Sequence, residues 1–586
     1  MTKTLLPSGR QTTLNYDAAG RIAAVAHSDG TRTEFGYDAA GQLLRAVNES
    51  ADVRFERDGM GRIVSESQDG GQTWVRSGYE AGQRMHVESD FGALQRIAHD
   101  ALGEVAALSN GAGAGALRLA FARNALGLEV ERELPGGVHV GWTRDVAGRP
   151  LERHTWRADR FAGGPEGGLT EALDARSYQW RGADQIAAII NPSSGPTFYD
   201  HDDRGRLVRE RRPGQGAVVE RAMDAVGNVY RTGDGRDRRY GPGGRLLEAD
   251  GVRYEHDEDG NQTRRELPDG SAWAYAWNGS GMLREVTRPD GERVRFEYDA
   301  FARRTAKRVV RVGEDGTETV QAEHRFVWDG HTVLHELDSE AGLTTWYWEP
   351  QTFTPVAKEQ NGRKWSVASD HLGTPTEMYD ELGQLAWKMQ LDVFGVPSVE
   401  EGAAQDCPWR WPGQYEDAET GDYYNRWRYY STHEARYGQT DPIRLTGGLN
   451  LTAYVDDPAV LSDPLGLEDR MPTWMPTRQG YQRQHLIPYS LRNHPVFAAS
   501  GRDINSATNM MYLPVAPGIH PNPNIGLHRG WTVQHAAYNA DVGTMLDNLK
   551  VALDAGHISP SQLDEAIRDL QHELRSDLNA GRRTCA

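Results

Sequence analysis

The chain has 586 residues, and its 65 lysine and arginine residues face 84 aspartate and glutamate residues, which gives a formal net charge of −19. A chain this acidic is not held on nucleic acid by its overall field, and its two cysteines are too few for a disulfide framework. The N-terminus lacks the apolar stretch of a signal peptide, and no apolar run is long enough to predict a membrane-spanning helix.

Charge and histidine content divide the chain at about residue 467. The last 119 residues carry 11 basic and 11 acidic residues, so the whole net charge of −19 lies in residues 1–467. Seven of the 19 histidines fall in the same short C-terminal part. The sequence therefore predicts a large acidic body that is followed by a small, neutral, His-rich domain.

A repeat with a step of about 21 residues runs through the acidic body. The motif YDAAGR at residues 16–21 returns as YDAAGQ at residues 37–42. Between motifs the residues alternate in polarity and include Asp-Gly turns, which predicts a strand, a tight turn and a second strand in each unit. The turn positions continue at Gly61, Gly82, Gly103, Gly127, Gly148, Gly205, Gly227, Gly260, Gly281 and Ala302.

The motif Tyr-Asp-x-x-Gly-Arg at this step resembles the RHS/YD-repeat family over about residues 10–467. The resemblance implies a mainly β fold, in which a spiral of β-hairpin repeats forms a shell, or cocoon, around a small α+β domain of the ββα-metal type. An extended β-solenoid that serves as a binding surface is the alternative. Since the first residues already lie inside a repeat, we expect the shell of residues 1–369 to be incomplete at its N-terminal end.

Residues 370–467 are similar to the core segment associated with RHS repeats. The matching pieces are DHLGTP at 370–375, PGQYEDAETG at 412–421, YNRWRYY at 424–430, DPI at 441–443 and DPLGL at 463–467. In that family the chain cuts itself after the final leucine, which here is the Leu467–Glu468 bond. The resemblance implies that Asp441 and Asp463 act as an aspartyl-protease-like pair.

Such a pair has a clear chemical basis. Two carboxyl groups brought together cannot both ionise cheaply, so one keeps a proton while the other can activate water. Two ordinary Asp-Pro turns are the alternative reading of Asp441 and Asp463. Arg444 departs from the family, which commonly has glycine at that position, and this bears on the local turn and on the efficiency of cleavage.

Residues 468–586 form a separate domain with two predicted helices at its end. The first runs over about residues 532–555 and is followed by Gly556 as its C-terminal cap. The second begins at a capping-box pattern, with Ser559 at the N-cap and Gln562 three positions later. Apolar stripes on both helices indicate core packing, and no chemistry is assigned to the second.

Three motifs precede or open these helices. QHLIP at residues 484–488 puts His485 at the start of an apolar strand, and Asn509 precedes another short strand. His535 and Asn539 are four residues apart on the first helix, so both project from one face and can share a cation.

This order of motifs resembles the HNH/endonuclease VII superfamily, and specifically the AHH-type toxin nucleases, over about residues 481–545. The resemblance implies that His485 is the general base, that His535 and Asn539 are metal ligands, and that Asn509 orients the loop carrying the base. A divalent metal neutralises the scissile phosphate and stabilises the leaving oxygen, while a neutral imidazole takes the proton from the attacking water.

Two departures from that family concern the metal. The family has a histidine ligand immediately before the base, where this chain has Gln484, whose carbonyl oxygen suits Mg²⁺. His528 precedes His535 at a longer spacing than the family's, so it either completes the site or contacts a phosphate. Mg²⁺ is the favoured ion, with Zn²⁺ or Ni²⁺ as alternatives. Arg483 and Arg529 are candidates for nucleic-acid binding.

The resemblances together imply an antibacterial toxin, in which the shell encapsulates a metal-dependent endonuclease and releases it by self-cleavage. The expected partners are nucleic acid, with DNA favoured, a cognate immunity protein, and a secretion-system adaptor or spike protein. We expect export without a signal peptide, most often by type VI secretion, from the producer's cytoplasm into that of a target cell. Two alternatives stay open: a structural or adhesive repeat protein with an inactive tail, and an RNase toxin.

Overall fold

The protein is described by a computed structural model. The described residues are 2–100, 104–111, 116–124, 128–145, 148–158, 170–182, 185–350, 352–446, 449–467, 481–492, 494–500, 504, 509–514, 522, 524–528, 533–559 and 562–584. None of the helices within these ranges has the length and apolar character that crossing a bilayer would require.

A sheet of 20 strands forms the first part of the shell, and each strand pairs antiparallel with the next along the sequence. Its strands are β1 (Thr2–Leu5), β2 (Gln11–Tyr16), β3 (Ile22–His27), β4 (Arg32–Tyr37), β5 (Leu43–Val47), β6 (Asp52–Arg57), β7 (Ile63–Ser67), β8 (Val75–Glu80), β9 (Gln83–Ser89), β10 (Leu94–His99), β11 (Val105–Asn110), β12 (Leu117–Arg123), β13 (Glu129–Leu134), β14 (Val138–Arg144), β15 (Pro150–Ala158), β16 (Thr170–Arg181), β17 (Gln185–Asn191), β18 (Gly195–His201), β19 (Leu207–Arg212) and β20 (Ala217–Glu220).

A second sheet of 16 strands follows in the same meander, after the short pair β21 (Ala222–Met223) and β22 (Val229–Tyr230). Its strands are β23 (Arg238–Tyr240), β24 (Leu246–Ala249), β25 (Val252–His256), β26 (Gln262–Glu266), β27 (Ala272–Trp277), β28 (Leu283–Thr287), β29 (Arg293–Tyr298), β30 (Arg304–Val312), β31 (Glu318–Asp329), β32 (Thr332–Asp338), β33 (Gly342–Trp348), β34 (Pro355–Gln360), β35 (Arg363–Ser369), β36 (Pro375–Tyr379), β37 (Leu385–Leu391) and β38 (Pro397–Glu401). Short 3₁₀ turns lie at Pro135–Gly137, Pro213–Gln215, Pro242–Gly244, Ala404–Asp406, Arg444–Thr446 and Tyr489–Leu491.

Hydrogen bonds at each turn explain the repeated motif. The Asp17 carboxylate accepts from the backbone N–H of Arg21 and from its guanidinium, with an Nε–Oδ2 distance of 2.7 Å. Gly20 has a φ of +79°, in the left-handed region that glycine adopts without strain. The Tyr37 hydroxyl donates to the Ile22 carbonyl on the preceding strand at 2.8 Å. Positive φ also occurs at Gly41, Gly61, Gly82, Gly148, Gly205, Gly227, Gly260, Gly281 and Ala302, whereas Gly103 and Gly127 lie outside the described residues.

The two large sheets stack as successive turns of one spiral. The Ser8 hydroxyl donates to Asp259, which lies 251 residues further along the chain. Arg212 donates to the Leu391 carbonyl, which lies only 179 residues further on. The number of residues in one turn of the predicted spiral therefore falls along the chain.

The predicted core segment of residues 370–467 has two structural parts. Its first residues continue the wall as β36 to β38, and residues 404–446 and 449–467 form a plug that packs against the wall. The plug contains a four-stranded sheet of β39 (Tyr415–Glu416), β40 (Asp422–Asn425), β41 (Arg428–Ser431) and β42 (Arg436–Tyr437). Its Trp409 ring packs edge-on against Trp346 of the wall, with 5.8 Å between ring centres, in a buried aromatic cluster shared by plug and wall.

The described part of the C-terminal domain is an α+β unit. It consists of the antiparallel hairpin β43 (Tyr481–His485) and β44 (Met510–Pro514), with the helices α1 (Pro495–Ala499), α2 (Val533–Asp554) and α3 (Leu563–Asn579). Its buried apolar cluster contains only residues of this domain, from Leu486 to Leu578.

The predicted helix ends agree closely with α2 and less closely with α3. Gly556 follows α2 with a φ of +73°, as expected for a C-terminal cap. The Ser559 N–H donates to Gln562 Oε1 at 3.0 Å, which is one half of the predicted capping box. The helix itself begins only at Leu563.

Candidate active site

His485 is the last residue of β43 and pairs across the hairpin with Met510, the first residue of β44. Its imidazole is half-buried, and its ring centre lies 5.7 Å from that of Tyr489. The prediction that His485 starts an apolar strand was wrong. The regular ladder ends after His485: the Leu486 N–H still donates to the Asn509 carbonyl, but the Ile487 N–H donates to the Asn509 side chain instead of to a backbone carbonyl.

Asn509 holds the segment that follows His485. Its Oδ1 accepts from the Ile487 N–H at 2.7 Å, and its Nδ2 donates to the Ile487 carbonyl at 2.9 Å. The second Nδ2 proton goes to the Ile504 carbonyl at 2.7 Å, and Gln571 donates to Oδ1 at 3.2 Å. The fully buried side chain therefore uses all four of its hydrogen-bonding capacities, which leaves its amide one orientation.

Tyr538 of α2 connects that helix to the same segment. Its hydroxyl donates to the Leu486 carbonyl at 2.6 Å, and both residues are buried. The Leu486 N–H donates to the Asn509 carbonyl at 2.7 Å. Together with the two bonds between Ile487 and Asn509, these contacts fix every backbone polar group of the two residues after His485.

His528 and His535 form a buried pair near Asn539. Their ring centres lie 5.0 Å apart, with an angle of 76° between the ring planes. Burial, and to a smaller extent the charge of His535, lowers the pKa of His528 to about 4, so this imidazole is neutral at pH 7 and offers a lone pair. Asn539 lies one turn after His535, and within the described residues its buried Oδ1 has no hydrogen-bond partner.

These donors fit a divalent metal. Imidazole nitrogens suit first-row transition metals, and a carbonyl oxygen suits Mg²⁺ as well. No group of three His, Cys, Asp or Glu in the described part of the chain could hold an ion. A metal at this pair would therefore need the orphaned Asn539 oxygen, a water or a substrate oxygen to complete its coordination.

Gln484, Arg483 and Arg529 are the other residues that the sequence predicts for the nuclease site. Gln484 is buried, and its amide nitrogen donates to the His485 carbonyl at 2.6 Å. Because neighbours along a strand point to opposite faces, Gln484 does not share the face of His485. Its role as a ligand stays a prediction. The side chain of Arg483 and the whole of Arg529 lie outside the described residues.

Helix α3, to which the sequence assigned no chemistry, contributes two side chains. Gln571 is buried and donates to Asn509. Arg575, one turn later on the same face, donates to the carbonyl of Met510 at 2.8 Å, and Met510 is the cross-strand partner of His485. A polar residue within an otherwise apolar helix stripe was the sequence signal that could have identified Gln571.

Asp441 and Asp463 meet at one buried cation in the plug. Arg428 Nη2 lies 3.2 Å from Oδ2 of Asp441 and 3.0 Å from Oδ2 of Asp463. Burial raises the pKa of Asp441, and the charge of Asp463 adds to this, while Arg428 opposes it. Asp463 also accepts from the Tyr437 hydroxyl at 2.9 Å. The two carboxyl groups therefore have different surroundings, as general acid and base roles require.

The predicted cut lies next to this pair. The Leu467 N–H donates to Asp463 Oδ1 at 3.0 Å, while Glu468 lies outside the described residues. Asp441 also accepts from a backbone N–H two residues later at 2.8 Å, so it forms an Asp-Pro turn as well. Arg444 has a φ of +55°, in the left-handed region that glycine adopts freely and in which arginine is strained.

Two family models match the chain. A Teneurin YD-shell model matches residues 181–443, and a model of a nuclease family of the HNH/ENDO VII superfamily with conserved AHH matches residues 467–574. The chain is therefore a YD-repeat shell protein with an AHH-type nuclease domain at its C-terminal end.

Three curated relatives match long stretches of this chain. "Toxin protein Tse5" of Pseudomonas aeruginosa is 31% identical over 77% of this chain and 38% of that protein. "Double-stranded DNA deaminase toxin A" of Burkholderia cenocepacia is 30% identical over 50% of this chain and 22% of that protein. "Probable deoxyribonuclease RhsB" of Dickeya dadantii is 27% identical over 57% of this chain and 25% of that protein. The chain thus spans well under half the length of these relatives.

Solved structures share the fold. A crystal structure of TcdB2-TccC3 matches 79% of this chain and 27% of that chain, with a TM-score of 0.56 and 17% identity. A Tc holotoxin pore from Photorhabdus luminescens matches 81% of this chain and 27% of that chain, with a TM-score of 0.57 and 17% identity. By its repeats, its domain matches and its relatives, the chain belongs to the RHS/YD-repeat proteins and carries a domain of the AHH nuclease family.

Proposed function

We propose that the C-terminal domain is a metal-dependent endonuclease and the toxic part of an antibacterial RHS protein. The observation that supports this best is the buried pair of His528 and His535, with Asn539 one turn further along α2, whose Oδ1 has no hydrogen-bond partner among the described residues. Tyr538 ties the helix of His535 to the segment that follows His485. The names of the relatives, a toxin and a probable deoxyribonuclease, favour DNA as the substrate.

His528, His535 and Asn539 would hold the divalent ion. When bound, the ion supplies the positive charge that neutralises the scissile phosphate and stabilises the leaving oxygen. A carbonyl oxygen among the ligands favours Mg²⁺, while the two imidazoles also suit Zn²⁺ or Ni²⁺.

His485 is the general base of the proposed reaction. Its imidazole accepts a proton from the water that attacks phosphorus, while the bond from phosphorus to the leaving oxygen breaks. The ring is half-buried, so solvent and substrate can reach one side of it. Asn509 and Tyr538 fix the backbone after His485, which holds the base in one position relative to α2.

The test uses residues 468–586, because their apolar cluster needs no residue of the shell. Plasmid DNA and RNA are incubated with this domain in Mg²⁺, Zn²⁺ or Ni²⁺, and in EDTA. We expect metal-dependent cutting of DNA, and His535→Ala should lose both cutting and metal binding. His572→Ala, on the exposed face of α3, is the matched control. Cutting of RNA alone would support the RNase alternative, and no cutting under any condition would support an inactive tail.

We also propose that the chain cuts itself after Leu467. The support is the meeting of Asp441 and Asp463 beside the Leu467 N–H. Asp441 keeps its proton, and the Asp463 carboxylate takes a proton from water. The water oxygen adds to the Leu467 carbonyl, the bond to the nitrogen of Glu468 breaks, and Asp441 protonates the leaving amine.

A denaturing gel tests the cut. The whole chain has a mass of 65.1 kDa for 586 residues, so its last 119 residues should appear as a piece of about 13 kDa. Asp441→Asn and Asp463→Asn should each leave one full-length band. Asp457→Asn removes another buried carboxylate of the plug, one that binds His201, and should still be cut. Equal cutting in all three variants would remove the pair from the mechanism.

The biological setting follows from these two activities. The shell of residues 1–369 and the core of residues 370–467 would enclose residues 468–586 until a secretion-system adaptor or spike protein delivers them into the cytoplasm of a target cell. A producing cell then needs an immunity protein that binds the nuclease domain. Expression of this domain should arrest growth, and co-expression of a neighbouring small gene should restore it. Normal growth with active nuclease alone would contradict this setting.

A further inference from the structure

Arg428 lies in the plug and touches both carboxyl groups of the proposed self-cleavage and the backbone one residue before Leu467. It is the first residue of β41 and is 1% exposed. Its Nη2 contacts the carboxylates of both Asp441 and Asp463. Its Nε donates to the Gly466 carbonyl at 2.5 Å, and its Cζ lies 3.7 Å from the centre of the Tyr437 ring. One side chain therefore connects both carboxyl groups to the segment that is cut.

The chain before the cut is held at both polar ends of one peptide unit. The Gly466 carbonyl accepts from Arg428, and the N–H of Leu467, in the same unit, donates to Asp463. Because a peptide unit is planar, these two bonds fix its orientation and the position of the Leu467 Cα. Gly466 has a φ of +64°, and a Cβ there would clash with the Asn425 carbonyl. The segment is therefore pressed against the neighbouring strand in a single orientation.

We propose that Arg428 is the positioning residue of the self-cleavage centre. It sets the separation of the two carboxyl groups and presents the peptide unit before the cut to them. Two buried carboxyl groups repel each other when both are ionised, and a cation between them offsets that repulsion. The guanidinium has five donors in a planar fork, so it can contact two carboxylates and a carbonyl at once. This inference rests on the self-cleavage proposed above.

The experiment compares Arg428→Lys with a matched control in the full chain. Lysine keeps the charge but lacks the planar fork. Arg426→Lys is the control, because Arg426 is a buried arginine two residues away that donates to the Phe301 carbonyl at 2.9 Å. The full-length chain is pulse-labelled during cell-free synthesis, and the rate at which the C-terminal piece appears is measured together with the thermal midpoint.

We expect Arg428→Lys to slow the cut by about 100-fold, as a misplacement of the reacting groups of about 1 Å does. Arg426→Lys should cut at the wild-type rate with a similar loss of thermal midpoint. In Arg428→Gln, the acidic limb of the pH–rate profile should move to higher pH, because loss of the cation makes the neighbouring carboxyl groups harder to ionise. A purely structural role would lower the rate without moving that limb.

The results for these variants distinguish the positioning role of Arg428 from the proposed cleavage itself. If Asp463→Asn blocks the cut while Arg428→Lys cuts at the wild-type rate, the positioning role is wrong and the cleavage stands. If the two lysine variants slow the cut equally, Arg428 acts only through the stability of the plug, and the inference is again wrong. If Asp463→Asn cuts normally, the proposed cleavage mechanism fails. Should Arg428→Gln fail to fold, Arg428→Lys alone decides.

Discussion

Replacing Tyr538 with phenylalanine removes the hydroxyl that joins α2, the helix with the proposed ligands His535 and Asn539, to the segment that follows His485. The lost hydroxyl donates to the Leu486 carbonyl at 2.6 Å, and Leu486 is completely buried. Water cannot replace the donor there, so the unsatisfied carbonyl costs about 1–3 kcal/mol of unfolding free energy. For a domain of this size, each kcal/mol lowers the thermal midpoint by about 4–8 °C.

The same change should reduce cutting more than it reduces metal binding. The segment after His485 is held by Asn509 and Tyr538, and it would lose its bond to Tyr538. A shift of about 1 Å at a reacting group costs about 100-fold in rate. His528, His535 and Asn539 are not altered, so the metal affinity of the nuclease domain should stay within a factor of a few.

The assay is plasmid cutting and calorimetric metal titration of residues 468–586, together with a thermal melt. Thr544→Val is the matched control, because its hydroxyl donates to the Ala540 carbonyl at 3.1 Å on the exposed side of the same helix. There water replaces the lost donor, and the unfolding free energy should change by less than about 0.5 kcal/mol. If Tyr538→Phe has the thermal midpoint and the cutting rate of the wild type, the hydrogen bond from Tyr538 to Leu486 contributes neither to stability nor to activity.

Two further predictions concern the shell and the plug. Burial lowers the pKa of His335 to about 4, and its ring nitrogens contact Ser89 and Thr345 at 2.7 and 3.0 Å. Since the unfolded chain binds the proton at higher pH than the folded one, the shell should lose about 3 kcal/mol as the pH falls from about 6.5 to about 4. Thermal melts against pH should show this slope, and it should flatten in His335→Leu. Arg444→Gly relieves the left-handed backbone at φ +55° and should raise plug stability by about 1 kcal/mol in urea unfolding; an unchanged or lower midpoint would argue against strain at that turn.

The spiral could be predicted from the sequence because its turns are formed by contacts between residues that are close together in the chain. Asp17, Gly20 and Arg21 close a turn within six residues, and the same Asp–Arg contact recurs at Arg62, Arg149, Arg206 and Arg303. The meander then follows, since each strand pairs with its neighbour in the chain. How the turns stack could not be predicted, because contacts such as Ser8 with Asp259 join residues 251 apart and carry no repeated signal.

The candidate site was predictable only in its outline. His485, Asn509, His535 and Asn539 stand in motifs, so their order alone indicated a nuclease. The strand end at His485 was missed, because it depends on the distant side chain of Asn509.

Arg428 and Gln571 were missed for a related reason. Arg428 lies within the matched YNRWRYY segment, but its function depends on Asp441 and Asp463, which fold onto it from elsewhere in the plug. Gln571 interrupts the apolar stripe of its helix, but the sequence does not show that its partner is Asn509. Contacts between elements decide such roles, and spacing within an element does not reveal them.

The central claim is that His485 is the base of a metal-dependent nuclease and that the metal is held elsewhere. It is tested most directly by His485→Ala in residues 468–586, with DNA cutting and metal affinity measured on the same preparation. The account predicts that cutting falls by about 10²–10⁴-fold while metal affinity is unchanged. Full cutting by His485→Ala, or loss of metal binding together with cutting, would contradict it.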